Sequence, residues 1–79
     1  MIERILENFP DDDFLKADGF DAAIIGLEEY GLRLIYSVSM CLDILEEDMS
    51  EEDAIEYFMF NVCGGHVGEK TPIWCWDNF

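Results

Sequence analysis

Ile2, Ile5, Leu6 and Phe9 recur at helical spacing, with Glu3, Arg4 and Glu7 between them and Pro10 just behind. The pattern predicts a short amphipathic helix over residues 1–9, closed by the proline. The Asp11-Asp12-Asp13 run and the Asp18-Gly19 pair mark an irregular acidic connection, with Phe14, Leu15 and Phe20 expected to pin it to the core. Residues 22–27 form a short apolar run. Residues 32–36 form a second, in which Leu32, Leu34 and Tyr36 alternate with Arg33 and Ile35. Two such runs across a glycine-containing turn predict a β-hairpin.

The rhythm then returns to the helical one. Ser37 or Ser39 can cap a helix reaching about residue 48, with Val38, Cys41, Leu42, Leu45 and Met49 on its apolar side. Ser50, followed by Glu51, Glu52 and Asp53, marks a second start: a capping hydroxyl, then acids where the helix dipole favours negative charge. Ala54, Ile55, Phe58, Met59 and Val62 make a stripe one helix face wide, with Tyr57 and Phe60 off it. Gly64-Gly65 closes that helix. Thr71-Pro72 leads into a β-prone run at 73–76, with Ile73 and Cys75 on one face and Trp74 and Trp76 on the other. That run is expected to join the hairpin. The expected fold is a single α+β domain, 1–79, of order α-β-β-α-α-β. Two main helices pack on one face of a small three-stranded antiparallel sheet, beside a short N-terminal helix.

Composition sharpens this in one direction. Nineteen acids against four Lys and Arg give a net charge of −15. Direct binding to nucleic acid is excluded, because Lys and Arg contacts to phosphate dominate that affinity. Anionic membrane surfaces are excluded likewise, and no apolar run approaches the ~20 residues of a membrane span. Hydrophobic residues at 51% separate the chain from acidic disordered tails. The three cysteines fit no small disulfide framework, and no signal segment is visible, so reduced thiols in the cytoplasm are expected.

The stretch 52–74, EDAIEYFMFNVCGGHVGEKTPIW, resembles a recurrent segment of short phage- and prophage-encoded proteins of uncharacterised function, EDAxEYFxFNVxGAYVGExTPIW. Ala23-Ile24-Ile25-Gly26 and Leu34-Ile35-Tyr36 fit the upstream part of those proteins, so the resemblance spans roughly residues 20–76. It departs at Gly65 and His66, where the pattern has Ala and Tyr. The resemblance implies a phage or mobile-element origin and no particular activity.

Site chemistry is sparse. Cys63, His66 and Cys75, with Cys41 as a possible fourth ligand, offer a zinc set, but only one short ligand spacing exists where structural sites show two. Small buried thiols and a loop histidine explain these residues more simply. The Asp11-Asp12-Asp13 run fails as a calcium loop, because Leu15 and Ala17 fall where oxygen ligands are required. His66 and Cys63 lack a third group to orient a nucleophile, and no phosphate-binding glycine loop is present. The sequence predicts a binding protein without catalytic residues, metal or cofactor.

The acids themselves are the informative feature. Asp43, Glu46, Glu47 and Asp48 end one predicted helix, and Glu51, Glu52, Asp53 and Glu56 open the next, across Met49 and Ser50 alone. Carboxylates at i, i+3 and i+4 lie about 5–6 Å apart on a helix, comparable to charge spacing along a nucleic-acid strand. Solubility alone needs a net charge of magnitude only about 2–8. Joined to the phage origin that the resemblance implies, this gives the expectation of a phage-derived inhibitor. It would occupy the basic groove of a host nucleic-acid-binding protein by acidic mimicry, of the anti-CRISPR or anti-restriction type. The alternative is a structural or adaptor protein that homodimerises through its aromatic C-terminal strand, with contacts from Tyr57, Phe60, Trp74 and Trp76. If helices cover one face of the sheet only, the two tryptophans are expected to face outward.

Overall fold

The computed structural model describes residues 1–64 and 68–78. The chain runs through α1 (Ile2–Asn8), a 3-10 turn (Asp21–Ala23), β1 (Ile24–Leu27), β2 (Leu34–Ser37), α2 (Val38–Leu45) and α3 (Glu51–Tyr57). A π-helical turn (Phe58–Val62) continues α3, and β3 (Ile73–Cys75) follows. This is the expected α+β order.

The hairpin between β1 and β2 is held by a carboxylate. Glu28 accepts hydrogen bonds from the Tyr30 and Gly31 backbone N–H groups, each at 2.7 Å, and its own N–H donates to the Arg33 carbonyl at 2.8 Å. These bonds, Gly31 first, hold the Glu28 carboxyl below its ordinary range. A Cβ at Gly31 would come within 3.1 Å of the Glu28 carboxylate, so the turn is shaped for glycine. The strands pair antiparallel, with a bulge between Ile24 and Gly26.

The third strand corrects the all-antiparallel expectation. The order is β1-β2-β3, and β3 runs parallel to β2 with Ile35, Tyr36 and Ser37 opposite Ile73, Trp74 and Cys75. Two cations fix this direction. Arg33 Nε donates to the Thr71 carbonyl at 2.6 Å, and Lys70 Nζ donates to the Gly31 carbonyl at 2.9 Å. Both bonds tie the start of β3 to the start of β2. At the other end Asp77 accepts from the Ser37 hydroxyl at 2.6 Å and the Ser39 N–H at 2.9 Å. The strand is thus fastened at both ends in one direction only.

The tryptophans also depart from expectation. The Trp74 ring lies 5.1 Å from Tyr36 and 5.3 Å, edge-on, from Phe58; Trp76 stands 6.0 Å from Phe58. Both rings therefore turn toward the helices, not outward. Phe58 and Tyr36 are fully buried at the centre of this aromatic stack. Such pairs add to burial through their offset and edge-to-face geometry.

Ser37 is at once the last residue of β2 and the cap of α2, its hydroxyl accepting from the Met40 N–H at 3.2 Å. Val38, Cys41 and Leu42 carry α2 into the core, with Leu45 and Met49 packed against it. The helix stops at Leu45, short of the expected 48. Glu46, Glu47 and Asp48 form a tighter turn instead, since negative charge at a helix C-terminus opposes the dipole. Ser50 caps α3 as expected, accepting from the Asp53 N–H at 3.2 Å. Along α3 and the π-helical turn after it, Ala54 and Phe58 are fully buried, but Ile55 and Met59 are exposed, so the apolar stripe is narrower than its sequence. Of the three residues expected to pin the acidic loop, Phe14 and Phe20 pack on the core and Leu15 does not.

Candidate partner-binding surface

The Glu46–Glu47–Asp48 turn sets three acids between two helices because helical propagation fails there and Ser50 restarts it three residues after Glu47. Asp43, Glu46, Glu47, Asp48, Glu51, Glu52, Asp53 and Glu56 are all solvent-exposed. Among the described residues two ion pairs form: Lys16 with Asp21 at 3.3 Å, and the N-terminal amine with Glu3 at 3.6 Å. Neither involves the eight acids. Arg33 and Lys70 are committed to the backbone carbonyls that fasten β3. Among the described residues, then, none of the eight acids is paired with a cation.

A cleft of about 480 Å³ opens beside this surface. Phe20, Ile44, Leu45, Met49 and Val62 give it apolar walls, and Tyr57 and Asn61 stand one helical turn apart along one side. Three acids line it: Glu47 and Asp48 from the turn after α2, and Asp18 from the loop opposite. Asp18 is held by its local turn. The Phe20 N–H donates to the Ala17 carbonyl at 3.2 Å, and Gly19 between them takes a positive φ of 89°. That conformation at the third position of a turn favours glycine. The turn is moored to the sheet where the Ala17 N–H donates to the Tyr36 hydroxyl at 2.9 Å.

On the far side of Tyr57 and Asn61 lies a more open hollow of about 470 Å³, lined also by Asp53, Glu56 and Phe60. The two residues thus form a ridge between two acid-lined depressions. The π-helical turn begins directly after Tyr57, and the Cys63 N–H reaches back to the Phe58 carbonyl at 2.9 Å. Such turns recur at functional sites.

The residues singled out by sequence therefore divide. Glu47 and Asp48 meet at the cleft, while Asp53 and Glu56 line the hollow with Tyr57 and Phe60. Asp43, Glu46, Glu51 and Glu52 line neither. Trp74 belongs to the interior stack, whereas Trp76 is 43% exposed and Phe60 78%. Asp18 and Asn61 escaped sequence reading: the first looked like a loop acid. Asn61 did carry a signal, its i+4 spacing from Tyr57.

Among the described residues the zinc set does not assemble. Cys41 is fully buried, and burial pushes its thiol up to about 12. Desolvation raises the Cys63 thiol as well, and its Sγ lies 3.9 Å from the Met59 carbonyl. Cys75 sits in β3, and His66 lies outside the described residues. Among the described residues no three His, Cys, Asp or Glu side chains come together as a metal would require. No described helix is long and apolar enough to cross a membrane. Compared with protein-family models, curated proteins and solved structures, the chain matches none of them.

Proposed function

We propose that this chain is a phage-derived inhibitor. It binds a basic, nucleic-acid-binding surface of a host defence or DNA-processing protein in the host cytoplasm, by acidic mimicry. The observation that carries the reading is the row of exposed acids from Asp43 to Glu56, none of them in either ion pair found among the described residues. A folded array of fixed carboxylates matches a groove of Lys and Arg built for phosphates, and the attraction steers encounter at low salt. Inhibition would be stoichiometric occlusion, with no reaction step.

The test is capture of a host protein from lysate across a salt series, with excess duplex DNA as competitor. The reading expects retention that falls as salt rises, release by DNA, and loss of capture when Glu46, Glu47, Glu51 and Glu52 are all changed to Lys. Circular dichroism would confirm that this variant is folded. Capture that survives the charge reversal, or is indifferent to DNA, overturns it.

A second reading, a homodimer formed through aromatic contacts, is favoured by the exposure of Phe60 and Trp76. Because Trp74 is part of the interior stack, the informative variant is Phe60→Ala/Trp76→Ala. Sedimentation would have to give a dimer mass for the wild type and a monomer mass for the variant. A monomeric wild type removes this reading.

A further inference from the structure

We infer that the cleft between the Asp18-Gly19 turn and the Glu46–Glu47–Asp48 turn receives an arginine side chain of the partner, and that Tyr57 is its wall. The inference rests on the inhibitor reading for the identity of the partner, but it concerns one place on the surface and one residue type.

The cleft joins two properties that few ligands satisfy together. Apolar side chains line it, Phe20, Leu45 and Met49 among them, while Asp18, Glu47 and Asp48 bring three acids from two separate elements. No Lys or Arg lines it, so an anionic ligand has no partner there. A hydrated divalent cation would want a cage of oxygens, not a lining shared with hydrocarbon. A wholly apolar ligand would leave carboxylates to desolvate without compensation. A long side chain with a methylene stem and a cationic head meets both demands, as such side chains lie along apolar surface with their charge in a polar rim.

Arginine fits better than lysine. Its guanidinium is planar, more weakly hydrated, stacks on aromatic faces and engages carboxylates with two parallel bonds. Tyr57, 45% exposed beside the acids, offers that aromatic face. A volume of about 480 Å³ exceeds one side chain, leaving room for the flanking peptide of the partner. The backbone that carries Asp18 is fixed before any ligand arrives, through Gly19 and the bond from Ala17 to the Tyr36 hydroxyl. A site fixed in advance loses less on binding than one ordered by its ligand.

The test uses the whole chain and two small probes, Nα-acetyl-arginine methylamide and its lysine counterpart, in an amide chemical-shift titration. Saturable shifts are expected at residues 17–20, 47–49, 57 and 61, with the arginine probe binding more tightly. Tyr57→Ala keeps every charge and should weaken arginine binding about fivefold, the scale of a cation–π contact. Tyr57→Phe should retain it, and Glu29→Gln, in the turn after β1 and outside the cleft lining, should change little. Shifts spread evenly over the acidic surface, or equal binding by Tyr57→Ala, overturn the inference and leave the inhibitor reading standing. If the cleft takes arginine yet host capture survives charge reversal at Glu46, Glu47, Glu51 and Glu52, the site stands and the inhibitor reading falls.

Discussion

Asp77 sits forty residues from Ser37 in sequence, yet it closes the start of α2 with two hydrogen bonds. Those bonds, the Ser37 hydroxyl first, hold its carboxyl below the ordinary range. A folded-state value depressed in this way contributes stability above the unfolded value, near pH 3.9, and loses it as pH falls through the lower folded value. Asp77→Asn should therefore be less stable than wild type at neutral pH, and the gap in thermal midpoint should narrow as pH falls below about 4. A gap that persists unchanged at low pH would mean that the carboxylate charge is irrelevant. The buried Tyr36 hydroxyl makes another long-range bond, accepting from the Ala17 N–H at 2.9 Å. Tyr36→Phe should cost about 1–3 kcal/mol in denaturant unfolding, because it leaves a partly buried N–H without its acceptor. It should also weaken arginine at the cleft by loosening the Asp18 turn.

At the level of elements, the helix caps carry local energy and the aromatic stack carries the long-range packing. Ser50→Ala removes the hydroxyl that accepts from the Asp53 N–H, and should destabilise by about 1 kcal/mol. Phe58→Ala empties a fully buried site between Trp74 and Trp76, and should cost about 3–5 kcal/mol, read as a shifted urea midpoint. The contrast explains what the sequence made legible. Ser50 with three acids behind it, and Ser37 before Val38, are local signals, and both helix starts were readable from them. The direction of β3 was not. Arg33 and Lys70 fix it by bonding to backbone carbonyls of Thr71 and Gly31, and any residue supplies a carbonyl. The cleft was half legible: Glu47 and Asp48 stood out in a charged run, while Asp18 reaches them only because the chain folds its loop against α2. Met59 read as core from ideal helical spacing, but it lies in the π-helical turn, where a wider repeat displaces the stripe.

Over the whole molecule, charge and surface pull in the same direction. A compact monomer of this mass exposes about 4,900 Å², whereas this chain exposes 5425 Å². Part of the excess is hydrophobic, with Tyr57, Met59, Phe60 and Trp76 all exposed. A net charge of −15 with few internal cations also repels itself in the folded state. Salt should therefore raise the thermal midpoint of the free protein while it weakens capture of a basic partner. Opposite signs in the same salt series separate folding from binding. A midpoint that falls on adding sodium chloride would mean that favourable ion pairs outweigh the repulsion.

The bond from Lys70 to Gly31 has a practical consequence for anyone following how the sheet opens. Trypsin cuts only after Lys and Arg, and this chain offers it four places, Arg4, Lys16, Arg33 and Lys70. At two of them the side chain that the protease must swallow is already engaged in fastening β3. Cleavage after Lys70 must wait for the strand to peel from β2, so its rate under dilute protease reports the population of the peeled form. Acetylating the same amine would neutralise that tether and abolish the cut after Lys70, leaving cleavage after Arg33 to report the loosened strand.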